Sequence, residues 1–167
     1  MNREHKWPIA IQGLHWLMAA LLIVQWASGE WDDWLGVRTH VSLGLLVLML
    51  AVLRLVARLA LKHPPATHAP TLPDRLASFV HVLFYVIMFL LPISGILWRQ
   101  ARGKVVSFFD WFNLPSLITP DKGLADFCHE THEILALVFL VLLGVHVAGA
   151  LKRQWIDRQP ILSRMWP

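Results

Sequence analysis

Along the 167 residues, apolar side chains gather in four long runs, approximately 8–29, 39–61, 76–98 and 130–152. Each run reaches the ~20 residues needed to cross the hydrocarbon of a bilayer. Segments such as LVLMLAVLRL show almost no polar face, which a helix of a water-soluble bundle requires. In lipid a backbone must satisfy its own hydrogen bonds, so the four runs are predicted to be helices. The pattern predicts an all-α, integral membrane four-helix bundle that occupies residues 1–167 as a single domain.

Composition sharpens this picture. The chain is 56% hydrophobic and only 16% charged, against about 25% charged in soluble domains. The first run ends in ASG at 27–29, which loosely resembles a signal-peptide cleavage site. It is too long for a signal core, however, and is predicted to stay as the first helix. A single cysteine, Cys128, excludes an internal disulfide and an iron–sulfur cluster. The net charge of +4 comes from basic residues that flank the runs and form no patch, so no nucleic-acid partner is expected.

The same charges give an orientation. Of the 15 Lys and Arg residues, ten lie on the side of the N-terminus, the 62–75 loop and the C-terminus, and five on the other. This bias predicts that both termini are cytoplasmic. Trp26, Trp31, Trp34, Trp98 and Trp111 fall near the outer interface and Trp7 and Trp155 near the inner one, as an aromatic belt requires. The inner connection KHPPATHAPTLPD is predicted to be extended. The outer connection, 99–129, contains KVVSFFDWFNLP and is expected to lie in the interface as a short segment.

Among the nine histidines, His15, His40, His132 and His146 lie within or at the edge of the runs and can be set against one another by depth. His132 and His146 are 14 residues apart, which places them on one helical face and roughly 21 Å apart along the axis. The topology sets His15 level with His146 near the inner surface, and His40 level with His132 near the outer one. Two depth-matched imidazole pairs result. A lone buried histidine commonly just hydrogen-bonds a neighbouring helix, but paired ionisable groups inside a membrane point to function. Zinc needs four ligands, which the inner level does not supply. Haem fits better, with iron held by axial imidazoles and the macrocycle lying between helices. Such an iron has no open position and passes single electrons.

Other residues admit two readings each. Gly13, Gly44, Gly144 and Gly149 give room for a macrocycle, or serve ordinary small-residue packing. Arg54 and Arg58, 14 and 18 residues after His40, face the inner level. They are suited either to the propionates of an inner haem or to snorkelling into the headgroups. His81, Arg153 and Trp155 are candidates for a quinone contact, with plain packing as the alternative for His81. Arg38, Arg99, Arg102 and Lys104 are candidates for attracting a small anion on the outer side. Eight of the eleven acidic residues also lie there and work against long-range steering. His129 is expected at the outer surface, and His5, His63 and His68 in solvated segments.

The stretches GLHWLMA at 13–19, RTHVSLGLL at 38–46, RLVARL at 54–59, LLPISG at 90–95 and HEILALVFLVLLGVHVAGAL at 132–151 resemble, in order, the prokaryotic cytochrome b561 family. The resemblance implies a bundle with two b-type haems, bis-histidine ligated by His15 with His146 and His40 with His132. It implies electron exchange with ubiquinone in a bacterial inner membrane. Family members differ in the electron partner. One type is a superoxide oxidase, a superoxide:ubiquinone oxidoreductase, which has histidine at the position of Arg153. Others are cytochrome subunits of larger dehydrogenases or are tied to periplasmic isoprenoid-binding proteins, and the outer segment ISGILWRQARGKVVSFFDWFNLP looks closest to the last kind. The expected partners are therefore lipid, ubiquinone, and superoxide or a periplasmic redox protein.

Overall fold

The computed structural model describes residues 6–61 and 71–166, with the main chain alone for 32–34. The expectations for Arg3, His5, Lys62, His63, His68 and most of the proline-rich loop fall outside the described residues. Four long helices dominate: α1 (Ile9–Glu30), α2 (Asp32–Ala60), α3 (Leu72–Ala101) and α4 (Lys122–Leu151). All four are long and apolar enough to cross a membrane. Their outward faces carry large apolar residues, such as Leu59 and Leu137, with no protein cover. The molecule is an all-α integral membrane four-helix bundle.

Local chemistry fixes the helix ends. Thr71 and Asp74 form a capping box at the start of α3: the Thr71 backbone N–H and hydroxyl both donate to Asp74 Oδ2, at 2.9 and 2.6 Å. At the start of α4, the Asp121 side chain accepts from the Leu124 backbone N–H at 2.6 Å. That cap starts α4 ahead of the apolar run at 130, and its extra turns bury Ala125 and Cys128. Near the start of α2, Gly36 adopts φ 72°, a conformation that glycine takes without steric cost and that breaks the helix direction.

The connection between α3 and α4 contains a small hairpin: β1 (Ser107–Phe108) pairs antiparallel with β2 (Phe112–Asn113). Phe109 and Asp110 turn the chain in left-handed conformations. The hairpin is fastened to α2 by Ser42, whose hydroxyl donates to the Ser107 carbonyl and accepts from the Phe109 N–H. Val106 is fully buried beneath it.

At the opposite end the chain termini meet. After α4 a π-helical turn (Lys152–Ile156) and a short 3-10 turn (Leu162–Arg164) lead a C-terminal strap back over the start of α1. Gln12, 1% exposed, donates to the carbonyls of Trp7 and Arg164 at 2.7 and 3.4 Å. The Trp16 indole donates to the Met165 carbonyl at 2.8 Å.

Packing runs from α1 to α2, α2 to α3 and α3 to α4. Among the described residues α4 packs closely along α3 but not along α1 or α2, so a seam separates α4 from the first two helices. Halfway along the bundle Met18, Ala51 and Met88 form the buried core, with Tyr85 and Phe84 against it.

Candidate cofactor site

The seam is bridged at two levels by imidazoles. At the end that holds the termini, the ring of His15 on α1 lies 6.3 Å from that of His146 on α4. At the hairpin end, His40 on α2 lies 6.2 Å from His132 on α4. These separations can be compared with two kinds of link. A direct N–H···N hydrogen bond of about 2.9 Å, with about 1.1 Å from nitrogen to ring centre on each side, would give roughly 5.1 Å. One metal ion with a bond of about 2.0 Å to each ring gives roughly 6.2 Å. Both pairs match the second distance, which also falls within the range of about 4.5–7 Å for edge-to-face ring packing.

The hairpin-end pair is held by a repeated device, a Ser-Gly dipeptide on a neighbouring helix. On α3, Ser94 Oγ donates to the Leu91 carbonyl at 2.7 Å and lies 3.0 Å from His132 Nδ1. His132 Nδ1 is also 3.0 Å from the Leu91 carbonyl. A carbonyl only accepts, so Nδ1 carries the hydrogen and Nε2 keeps its lone pair. On α1, Ser28 Oγ donates to the Gln25 carbonyl at 2.8 Å and accepts from His40 Nδ1 at 3.0 Å. Fixing the distal nitrogen in this way is what a metal-ligating histidine needs. Gln25 Nε2 lies 3.2 Å from His40 Nε2 and donates to the His40 carbonyl at 3.0 Å.

The glycines complete the cradles. A Cβ on Gly29 would stand 2.9 Å from His40 Cε1, and one on Gly95 would stand 3.1 Å from His132 Cε1. Of the glycines singled out in the sequence, Gly44 faces the Gln25 amide, whereas Gly13, Gly144 and Gly149 have no side chain or neighbouring helix within 4 Å of such an atom.

The termini-end level opens into a cavity of about 600 Å³ of empty space, its mouth included, lined by His15, Arg54, His81, Tyr85 and His146 among others. Arg54 Nη2 donates to His15 Nδ1 at 3.1 Å. The Tyr85 hydroxyl is buried with no hydrogen-bond partner among the described residues, so it can serve an incoming acceptor. The residues fit a haem: four imidazoles in two pairs at metal-bridging distance, the hairpin-end pair backed by glycines and the termini-end pair beside a cavity. Among the described residues no group of three or more His, Cys, Asp and Glu is gathered for a metal ion.

The other predicted residues separate. His81 belongs to the cavity, its ring 5.2 Å from that of His146. Arg58 does not line the cavity; its guanidinium sits over the Trp7 ring at 4.5 Å. Arg153 is bound to Asp74 at 2.8 Å, because the π-helical turn carries it over the start of α3. Trp155, on the same turn, is 70% exposed and away from the cavity. At the hairpin end Arg38, Arg102 and Lys104 are exposed and Arg99 is half-buried. His129 stacks on Trp98 with ring centres 4.1 Å apart.

Membrane-crossing helices with paired imidazoles at two depths define a membrane cytochrome of the electron-transfer class. The family model for prokaryotic cytochrome b561 matches residues 6–167, and the chain belongs to that family. It is 31% identical to cytochrome b561 homolog 2 of Escherichia coli (strain K12), over 98% of this chain and 93% of that protein. It is 28% identical to cytochrome b561 homolog 1 of the same strain, over 100% of this chain and 98% of the relative. It is 29% identical to a probable superoxide oxidase CybB of Yersinia pestis, over 98% and 97%. The chain is thus a multi-pass membrane electron-transfer protein of a family that binds b-type haem.

Proposed function

We propose that this protein is a di-haem b cytochrome of the bacterial inner membrane that moves electrons between a periplasmic one-electron donor and ubiquinone, with superoxide as the donor. His15 and His146 would hold one haem iron and His40 and His132 the other. The observation that carries the reading is the pair of ring separations, 6.3 and 6.2 Å, at two levels of one seam. When bound, haem would supply one-electron chemistry at each level, and these imidazole pairs would hold it.

The chain's own residues set the conditions. Ser28 and Ser94 hold Nδ1 of the hairpin-end histidines so that Nε2 keeps its lone pair; at His40 ligation would require the Gln25 amide, 3.2 Å from Nε2, to leave that nitrogen. At the other level Arg54 is a donor to His15 Nδ1. Ligation through Nε2 therefore requires Arg54 to leave that nitrogen, which frees the guanidinium for a propionate. His81, beside His146 in the cavity, is the quinone-side candidate that the geometry favours; Arg153 is taken by Asp74. Arg38, Arg99, Arg102 and Lys104 supply positive charge near the hairpin-end pair, suited to a small anion. The ten-to-five distribution of Lys and Arg supports cytoplasmic termini and hence a periplasmic hairpin end.

The relative described as a probable superoxide oxidase supports the choice of donor. A second reading, a cytochrome subunit or redox partner of a larger dehydrogenase or of a periplasmic isoprenoid-binding protein, draws on the hairpin tip. Trp111 is 81% exposed there and Phe112 54%, an apolar tip that a partner could cover. The test is reconstitution of the purified protein with superoxide and a ubiquinone analogue. Haem reduction followed by quinol formation without a partner supports the oxidase; a reducible protein inert to superoxide supports the partner-dependent reading.

A further inference from the structure

Two hydrogen-bond donors at the hairpin end have no use in the site as described. The indole Nε1 of Trp98 and the Nε of Arg99 are buried, and neither has a hydrogen-bond partner among the described residues. Leaving a buried donor unpaired is costly, so two in adjacent residues call for an acceptor. Both belong to the last turns of α3, one turn beyond the Ser94 that holds His132. The Trp98 ring lies 6.1 Å from the His132 ring and 4.1 Å from that of His129, with the Arg102 guanidinium 5.4 Å from its centre. Arg99 Nη2 makes only a long contact, 3.4 Å, to the Val105 carbonyl.

Of the acidic side chains on the adjoining helix, Glu130 is exposed to solvent and two others have partners. Asp126 pairs with Lys122 at 2.9 Å and Glu133 with His129 at 3.3 Å. A bound ligand can supply the missing acceptor. A b-type macrocycle carries two carboxylates, and a carboxylate accepts from an indole N–H and a guanidinium N–H at once. We propose that Trp98 Nε1 and Arg99 Nε together receive a carboxylate of the haem held between His40 and His132. The inference rests on the di-haem reading.

The test compares wild-type protein with Trp98→Phe, which keeps the aromatic stack and loses the N–H, and Arg99→Lys, which keeps the charge and loses the fixed Nε. Haem-to-protein ratio, the two midpoint potentials and the rate of haem transfer to apomyoglobin are measured for each. Both haems should load, and one midpoint should fall, because a less compensated carboxylate favours the oxidised, more positive iron. Transfer of that haem should quicken roughly tenfold. Both midpoints unmoved in a variant that loads two haems would overturn the proposal. A shift seen only when chloride or sulfate is varied would overturn it too, in favour of a free-anion site. If one variant fails to load haem, the other decides. A wild-type protein without haem bands would end the di-haem reading itself, and the carboxylate site with it.

Discussion

Gly95 and His132 are in direct contact: a methyl group on the Gly95 Cα would stand 3.1 Å from Cε1 and 3.3 Å from Nδ1 of the imidazole. Gly29 stands in the same relation to His40, more tightly still, at 2.9 Å from Cε1. The small residue sets how far each ring can retreat from the seam, so ring position is governed by a backbone on a third helix.

Gly95→Ala and Gly29→Ala should each push one imidazole toward the seam and weaken binding at the hairpin-end level alone. Overpacking of this kind costs about 1–3 kcal/mol. Haem content measured against protein should fall toward one per chain, more completely for Gly29→Ala. An unchanged content of two in both variants would show that the cradles do not set the rings.

His146→Ala should remove the termini-end haem and leave the hairpin-end one largely in place, while His132→Ala does the reverse. Optical spectra and redox titration distinguish the two, since one midpoint disappears in each variant. If neither variant loses a haem, the pairing is wrong.

Ser94→Ala should leave both haems bound, because the Leu91 carbonyl still accepts from His132 Nδ1 at 3.0 Å. The lost hydroxyl makes the imidazole a poorer electron donor to iron, so one midpoint should rise and affinity fall by no more than about tenfold. A redox titration of the intact protein checks this.

The Arg153–Asp74 pair should contribute little to stability despite its 2.8 Å distance. Both partners are partly exposed, and such pairs couple by about 0.2–1 kcal/mol. A double-mutant cycle with Arg153→Gln and Asp74→Asn, followed by thermal loss of haem absorbance, measures the coupling. Ubiquinone reduction should survive Arg153→Gln; a collapse of that activity would return Arg153 to the quinone site.

What could be read in the chain, and what could not, follows from the range of each interaction. The four helices were legible because lipid imposes length and hydropathy on every one of them. The two histidine pairs were legible because a helix turns residue spacing into height and azimuth. The cradles were not. Ser28-Gly29 looks like part of a cleavage site and Ser94-Gly95 like ordinary small-residue packing, until the fold sets each against an imidazole from another helix. The early start of α4 was hidden because its first turns are polar, with Asp121 as the only local sign. Arg153 faced Asp74 only because a π-helical turn, which no periodicity announces, ends α4.

The clasp at Gln12 carries a consequence for biogenesis. Its amide grips the Arg164 carbonyl, 152 positions further along the chain. The first transmembrane segment is synthesised long before the residues that seat it, and its amino-terminal turns must wait, unclasped, until residue 164 has been made. Every residue of the Ser-Gly cradles and their histidines has been made by residue 132. The order of synthesis thus lets the hairpin-end level mature first and leaves the level beside the termini to be closed last.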